Sequence, residues 1–379
     1  MINGTIPDEV VILGNHRDAW LAGGAGDPNS GSAALNEVAR SFGAALQKGW
    51  KPLRTTVLAS WDGEEYALIG STEFVEEFMP WLKDSAVAYL NVDVGTAGPR
   101  FGAGASPILN HLIRESTKAV QSPNQTLAGQ TLADLWNGKI PTLGSGSDFT
   151  AFLDFAGVSS VDMGFHGSLE DPVYHYHSNY DSTAWMEKYG DKGYLYHLAV
   201  TQLWTIMATS LIEDPVIPFN VTDYALALAS YVEKVQAQAS TAGMLSEPSL
   251  NFTSLFVAID SLQQAAIIHD AQATALRSAL DYASSSWWLW WQTAELWRTA
   301  RRLNTAYKRF ENAFLWHEGL KGRPLFKHTL FAPDLWNGYA GVTLPGISEA
   351  IVEGNYETAQ HWIGVVAERV AAAQMLLEV

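Results

Sequence analysis

Short apolar segments alternate with helical patterns through the first half of the chain. Three segments are rich in β-branched or aromatic residues and are bounded by Gly, Pro or Asp, which predicts buried strands. They are residues 10–14, 55–61 and 86–92. The stretches with apolar side chains at helical spacing are residues 32–46, 72–78 and 107–120. Because strands that alternate with helices are typical of α/β sheets, we predict an α/β domain over residues 1–212.

The pattern changes after residue 212. Residues 213–222 contain two prolines, which predicts a linker. Beyond the linker, Ala- and Leu-rich stretches recur at helical spacing. They are residues 224–239, 254–284, 287–314 and 356–377. We therefore predict an all-α helical domain over residues 223–379.

Side chains with metal-binding chemistry follow the three predicted strands. The carboxyl ends of strands in an open α/β sheet meet at one edge, where ligands bind. Zn²⁺ binds imidazole nitrogen and carboxylate oxygen at about 2.0–2.2 Å, so two His, three carboxylates and one further Glu suit a pair of zinc ions. His16, Glu64, Glu65 and Asp93 follow these strands, and two further short motifs add Asp27 and His177 to the candidate set.

Six ordered motifs make the chain resemble a known family from about Ile2 to the C-terminus. The motifs are Gly-Asn-His-Arg-Asp-Ala-Trp (14–20), Ser-Trp-Asp-Gly-Glu-Glu-Tyr (60–66), Tyr-Leu-Asn-Val-Asp (89–93), Ser-Gly-Ser-Asp-Phe (145–149), Tyr-His-Ser-Asn-Tyr-Asp-Ser (176–182) and Tyr-Ala-Gly-Val-Thr-Leu-Pro-Gly (339–346). They resemble the co-catalytic dizinc exopeptidases, within them the branch of glutamate carboxypeptidase II and the transferrin receptor. The resemblance implies a mixed sheet flanked by helices, a peptide substrate, and a C-terminal helical domain that forms a homodimer.

The resemblance also implies how the metal ligands divide between two zinc ions. Asp27 would bridge the two ions. His16 and Asp93 would complete one site, and Glu65 and His177 would complete the other. Either histidine of the His-x-His pair at 175–177 has the chemistry of a ligand, and the family pattern selects His177.

Other residues of the same motifs would act around the metals. By resemblance, Glu64 would be the general base that takes a proton from the attacking water and delivers it to the leaving amine. Tyr176 would donate a hydrogen bond to the developing oxyanion. Asp18 would hold the ring of His16 from outside the ligand shell.

Substrate recognition departs from the family pattern. Ser147 and Tyr339 stand at family substrate-binding positions, but Ser147 replaces an Asn. The family Lys before Tyr-Ala-Gly is Gly338 here, and its arginine patch aligns with a stretch that holds Asp162 and Gly164. Since these cations would pair with an acidic side chain, we expect no selectivity for glutamate.

Two further features follow from the resemblance. Glu73 and Glu76 match family calcium ligands, and oxygen ligands suit Ca²⁺, so calcium is a second expected cofactor. Residues 2–6 resemble a strand from the middle of the family's catalytic domain. We therefore expect a short form without the protease-associated domain, with an open site and weak or absent turnover.

Composition narrows the class of protein. A net charge of −17 argues against binding to nucleic acid, whose phosphates require Lys and Arg. No apolar run approaches the roughly 18 residues of a membrane span, and the N-terminus lacks the pattern of a signal peptide. The absence of cysteine excludes disulfides and thiol catalysis. Glycosylation sequons permit a secretory, extracellular or vacuolar setting, which the resemblance favours. They begin at Asn3, Asn124, Asn220 and Asn251.

Three alternatives remain open from the sequence. A catalytically silent binding protein like the transferrin receptor is one, although the complete ligand set favours an enzyme. A dizinc aminopeptidase, which would read a free N-terminus, is the second. The third concerns the tryptophans at 287–291 with Trp297, which fit either a buried helix core or a dimer interface.

Overall fold

A mixed sheet forms the centre of the first half of the protein. The computed structural model describes residues 1–246, 249–284 and 290–378. Five strands within these ranges form one sheet in the order β2-β1-β3-β5-β4, in which only β4 is antiparallel to its neighbour. The strands are β1 (Ile6–His16), β2 (Arg54–Trp61), β3 (Ala86–Asn91), β4 (Arg100–Ala105) and β5 (Ser160–His166). The predicted α/β fold with a mixed sheet is confirmed.

Helices cover this sheet because its central strands are apolar on both faces. Four successive residues of β1, at 10–13, are fully buried, as expected of a parallel strand inside a sheet. Helix α1 buries a stripe at Ala34, Leu35, Val38 and Phe42. Helices α1, α3 and α6 form one group, whereas α2 packs against the sheet and a π-helical turn at Ala151–Phe155. The helices are α1 (Asn29–Gln47), α2 (Ile69–Ser85), α3 (Asn110–Thr117), α4 (Leu132–Leu135), α5 (Thr183–Trp185) and α6 (Leu195–Glu213).

The second half is helical, as predicted, but it also contains a short pair of strands. Helix α8 packs against α7, α9 and α11, and α10 packs against α7 and α11. The helices are α7 (Val221–Thr241), α8 (Thr253–Ser284), α9 (Trp290–Phe310), α10 (Pro345–Val352) and α11 (Tyr356–Leu377). Between α9 and α10, strands β6 (Phe331–Pro333) and β7 (Gly341–Thr343) pair antiparallel. Trp287 and Trp288 lie outside the described residues, as do the side chains of Trp290 and Trp291, whereas Trp297 is partly buried against the core.

Residues 214–220, which join the two halves between α6 and α7, are non-helical and well packed. Val216 and Ile217 among them are fully buried. The guanidinium of Arg54 on β2 donates to the carbonyl of Asp214 at 2.6 Å, and the amide of Asn304 on α9 donates to Pro215 at 2.9 Å. Buried residues of both halves belong to one continuous hydrophobic cluster. The two halves are therefore held in a fixed relation.

One described helix has the length and apolar composition of a membrane span. It is α6, and half of its most apolar stretch is buried inside the protein. A core helix has the same properties, so this finding is weak support for a membrane span.

Candidate metal centre

The carboxyl ends of three parallel strands bring the predicted ligands together. His16 is the last residue of β1, Asp93 follows β3 by two residues, and Glu65 follows β2 by four. The strand ends lie close together, because His16 at the end of β1 pairs with Trp61 at the end of β2, and Asn91 at the end of β3 pairs with Gly14, two residues before the end of β1. Loops that leave these strands therefore open onto one edge of the sheet.

The ligand atoms form two groups that share Asp27. In the first, Nε2 of His16 lies 3.3 Å from Asp27 Oδ1 and 2.8 Å from Asp93 Oδ1. In the second, Nε2 of His177 lies 3.3 Å from Asp27 Oδ2 and 2.9 Å from Glu65 Oε2. Each oxygen of Asp27 thus faces a different group, which is the arrangement of a bridging carboxylate.

These side chains fit a pair of metal ions. Oδ1 of Asp27 and Nε2 of His177 are buried, and neither forms a hydrogen bond with any described protein atom, although carboxylate oxygens lie close by. Ligands at 2.0–2.1 Å from one tetrahedral zinc ion lie about 3.3 Å from each other, close to the distances in both groups. The atoms therefore converge on two points where a cation would satisfy them.

The close packing of carboxylates around the two histidines favours the binding of cations. His16 is 1% exposed, and although burial opposes its protonation, Asp93 and Asp27 outweigh burial and raise the pKa of its imidazole to about 12. Burial, then Asp93, raises the pKa of Asp27 above its ordinary value. Burial, then Asp27, does the same for Glu65. Each of these shifts reports a negatively charged, poorly hydrated site that two positive ions would stabilise.

Asp18 orients parts of both groups. Its backbone carbonyl lies 2.9 Å from Nδ1 of His16 and accepts that N–H, which leaves Nε2 free to bind a metal. Its carboxylate accepts the backbone N–H groups of Glu64 and Glu65 at 3.1 and 3.2 Å. The ring of His16 is thus held by the main chain of Asp18, while the side chain fixes the loop after β2.

Two further supporting residues were missed in the sequence. Asp181 is 2% exposed and accepts the backbone N–H groups of Gly26 and Asp27 at 2.7 and 3.0 Å, which fixes the loop of the shared ligand. The backbone N–H of Trp20 donates to Glu65 Oε1 at 2.7 Å, and its ring stacks on His177. Both residues lie inside motifs quoted above, so motif membership was the available signal.

Glu64 and Tyr176 lie beside the ligand groups without belonging to them. Glu64 is 8% exposed, and burial, then Asp93, raises the pKa of its carboxyl to about 9. The hydroxyl of Tyr176 lies 3.0 Å from the hydroxyl of Tyr339, and its ring stacks on His177. Burial and the contact with Tyr339 raise the pKa of Tyr176, which keeps its hydroxyl protonated.

Two cavities meet at Glu64. The first, of about 450 Å³, lies between the sheet and the helical half, with Phe326 and Gly338 from the latter. The second, of about 670 Å³, is lined by Ser147 and Asp162, and Ser147 accepts a hydrogen bond from the Asn91 amide at 2.9 Å. Glu64, Tyr176 and Tyr339 line both cavities. An extended peptide that occupied both cavities would pass beside the two groups of candidate ligands.

Other predicted residues lie apart from this centre. Glu73 and Glu76 are exposed on α2, and neither belongs to a group of candidate metal ligands among the described residues. His175 is exposed, and its ring packs near Tyr180. The structure thus brings together His177, and not His175, with the acids.

Comparison with known proteins finds relatives over the whole chain. A probable glutamate carboxypeptidase of Arthroderma benhamiae is 42% identical, covering 100% of this chain and 50% of that protein. The aminopeptidase NAALADL1 of Rattus norvegicus is 31% identical, covering 100% of this chain and 51% of that protein. A solved zinc aminopeptidase of Bacillus subtilis is 18% identical with a TM-score of 0.44, covering 56% of this chain and 48% of that one. The chain spans about half the length of the curated relatives it matches.

Two family descriptions match separate parts of the sequence. The description of peptidase family M28 matches residues 1–192, which contain all of the candidate ligands. That of the transferrin receptor-like dimerisation domain matches residues 250–378, in the helical half. The chain therefore belongs to peptidase family M28 and carries a transferrin receptor-like dimerisation domain in its C-terminal part.

Proposed function

We propose that this chain is a zinc-dependent exopeptidase that hydrolyses peptide bonds with water activated at a two-metal centre. One observation carries the proposal: two ligand groups share Asp27, and they lie beside a buried carboxylate, Glu64, where two cavities meet. His16 and Asp93 would hold one zinc ion, and Glu65 and His177 the other, with Asp27 between them.

The chain's own residues would carry the proton transfers. Two bound zinc ions would supply Lewis-acid polarisation of the scissile carbonyl and lower the pKa of a water molecule. Glu64 takes a proton from the attacking water and later gives it to the leaving amine. The protonated hydroxyl of Tyr176 donates to the oxyanion that develops on the carbonyl oxygen. The main chains of Asp18 and Trp20 bond to the side chains of His16 and Glu65, and the Asp181 carboxylate accepts the backbone N–H of Asp27; these hydrogen bonds keep the ligands in place.

We favour a carboxypeptidase-like enzyme without glutamate selectivity. The two cavities on either side of Glu64 would receive the residues on either side of the scissile bond. Among the described residues that line the first cavity there is no Lys or Arg, and Gly338 stands at the position where the family pattern has a cation. An acidic side chain would therefore meet no opposite charge there.

Two other functions remain as alternatives. An aminopeptidase is supported by similarity to a protein that carries that name. A catalytically silent binding protein is disfavoured by the complete set of ligands. A homodimer through the dimerisation domain, glycosylation at the sequons and calcium at Glu73 and Glu76 stay predictions of the same proposal. Asn220 is the weakest of these sequons, because its side chain caps α7 by accepting the N–H of Asp223 at 2.7 Å.

The decisive experiment is a peptide library with blocked N-termini, blocked C-termini or neither, assayed with and without added Zn²⁺. The proposal expects zinc-dependent loss of the C-terminal residue from peptides with a free carboxylate. Cleavage that requires a free N-terminus would identify the aminopeptidase. If protein that contains two zinc ions cleaves none of the peptides, the catalytically silent binding protein is the remaining alternative.

A further inference from the structure

The wall of the first cavity leaves apolar surface uncovered beside the metal centre. Leu325 is 48% exposed, and the rings of Phe155 and Phe326 are half-buried. The cavity is also lined by Glu65 and His177, so its apolar part is continuous with the candidate ligands. Uncovered apolar surface in a cavity indicates a binding site for an apolar group. The apolar side chains of this wall are Ala67, Leu68, Ala151, Phe155, Leu325 and Phe326.

Outside the metal centre, the described part of this wall offers no free charge. Asp154 lines the cavity, but both of its carboxylate oxygens are buried. Burial raises the pKa of Asp154 well above its ordinary value, and the positive charge of Arg323 only partly opposes this rise. Asp154 therefore stays protonated at neutral pH, and it presents no charge to a ligand in the cavity.

Two cations contact the phenyl rings of this wall but have partners of their own. The ammonium of Lys327 lies 5.4 Å from the centroid of the Phe155 ring and donates to a main-chain carbonyl at 3.1 Å. The central carbon of the Arg323 guanidinium lies 5.6 Å from the centroid of the Phe326 ring, and the group donates to a main-chain carbonyl at 2.7 Å. Neither cation belongs to the described residues that line the cavity. An acidic side chain that entered the cavity would therefore lose its water without gaining an ion pair.

The other polar side chains of this wall carry hydroxyl groups. Apart from the metal centre, the two tyrosines and Asp154, those among the described residues are Ser145, Thr72 and Thr150. The hydroxyl of Thr150 already donates to the carbonyl of Ser147 at 2.7 Å. Because hydroxyl groups carry no charge, they give no preference for an acidic or a basic side chain.

We propose that the first cavity is a specificity pocket for a large apolar side chain, such as that of leucine, methionine or phenylalanine, on the released C-terminal residue. The proposal rests on the proposed function, because it names the substrate residue beside the scissile bond. An exopeptidase that releases one residue needs the smaller space for that residue. The first cavity has about 450 Å³, and the second has about 670 Å³ for the rest of the peptide.

The size of the preference follows from the burial of methylene groups. Each methylene group that moves from water into an apolar pocket strengthens binding about fourfold. The side chain of L-norleucine has three more methylene groups than that of L-alanine, so complete burial would strengthen binding roughly sixtyfold. We expect at least tenfold, since part of the cavity stays open to water.

The test measures binding first, so that it does not depend on turnover. Zinc-loaded protein is titrated by calorimetry with L-alanine, L-norvaline, L-norleucine and L-glutamate. All four have the same amino and carboxylate groups, so the contacts of those groups with the metal centre cancel in the comparison. Affinity should rise at every step from alanine to norleucine, and glutamate should bind at least tenfold more weakly than norleucine.

Two variants and a matched control assign this preference to the cavity. Leu325→Ser removes apolar surface at an exposed position, and it should lower the norleucine-to-alanine affinity ratio at least threefold. Gly338→Lys adds an ammonium where a Cβ meets open space, and it should raise the glutamate-to-norleucine ratio at least threefold. Leu335 is 42% exposed on the same stretch between α9 and α10 and lines neither cavity, so Leu335→Ser should keep both wild-type ratios.

Two results of the binding experiment would overturn the proposal. One is equal affinity of the wild type for alanine and norleucine. The other is a wild-type ratio in either of the two cavity variants, because the preference would then arise elsewhere in the protein.

Kinetics then distinguish this proposal from the proposed function. One series of N-blocked peptides ends in alanine, norvaline, norleucine or glutamate, and a second series varies the preceding residue in the same way. Zinc-dependent hydrolysis with equal kcat/KM across the first series would overturn the pocket and keep the peptidase. Tighter binding of norleucine through Leu325 without hydrolysis of any peptide would keep the pocket and overturn the peptidase.

Discussion

Replacement of Glu64 by Gln tests the proposed chemistry most directly. The amide of Gln has nearly the same shape as the carboxyl group, but it cannot accept the proton of the attacking water. The backbone N–H of Glu64 donates to Asp18 at 3.1 Å, and this bond does not depend on the side chain. Because the Glu64 side chain belongs to neither ligand group, both metals should stay bound in Glu64→Gln.

The size of the effect follows from the role of a general base. Such a group contributes about 10²- to 10⁴-fold to the rate, equivalent to roughly 3–5 kcal/mol of activation free energy. Although Glu64→Gln should lose activity, its zinc-free form should be more stable than the zinc-free wild type at alkaline pH. Burial, then Asp93, raises the pKa of Glu64 from 4.5 to about 9, so its contribution to stability is full below pH 4.5 and is lost as pH rises towards 9. Glu64→Gln carries no titrating group at this position, so its stability does not fall for this reason as pH rises.

Three measurements on Glu64→Gln check the prediction. Elemental analysis should find two zinc ions in both proteins, and kcat should fall at least a hundredfold in the variant. Thermal unfolding of zinc-free protein should give a higher Tm for the variant at pH 8 and no gain at pH 4. Near-normal turnover with both metals bound would refute the role of Glu64 as the base. A loss of zinc would instead show that Glu64 supports metal binding.

The remaining predictions concern zinc binding, specificity and assembly. Because His16 has a pKa of about 12, zinc binding at pH 7.5 should release at least one proton, which calorimetry in buffers of different ionisation enthalpy measures; no release would contradict the metal-free protonation of His16. Peptides that end in Glu should not exceed neutral ones tenfold in kcat/KM, and Gly338→Lys, where an added Cβ meets open space, should raise the ratio for Glu. Sedimentation at micromolar concentration should show a homodimer through residues 250–378; a monomer alone would count against it.

The sequence was informative where one apolar run ends in a polar ligand. β1 runs into His16, and the run at 55–61 leads to Glu64 and Glu65, so the edge of the sheet that holds these candidate ligands followed from periodicity. The closing ligands were different. Asp27 and His177 are distant in sequence and follow no predicted strand, so the strand pattern did not mark them, and the resemblance assigned their roles.

Other elements had no local signal. Strand β4 has the sequence Arg-Phe-Gly-Ala-Gly-Ala, which lacks the β-branched residues typical of strands, and pairing with β5 makes it extended. Strands β6 and β7 are three residues each and depend on each other.

The first cavity is assembled from two distant stretches of the chain. All candidate metal ligands precede residue 178, whereas Leu325, Phe326, Gly338 and Tyr339 come from the region between α9 and α10. Substitutions in that late region would change which side chain fits without displacing a ligand. Side chains that shape the cavity and side chains of the candidate ligands can therefore change independently during evolution, because they lie on different stretches of the chain.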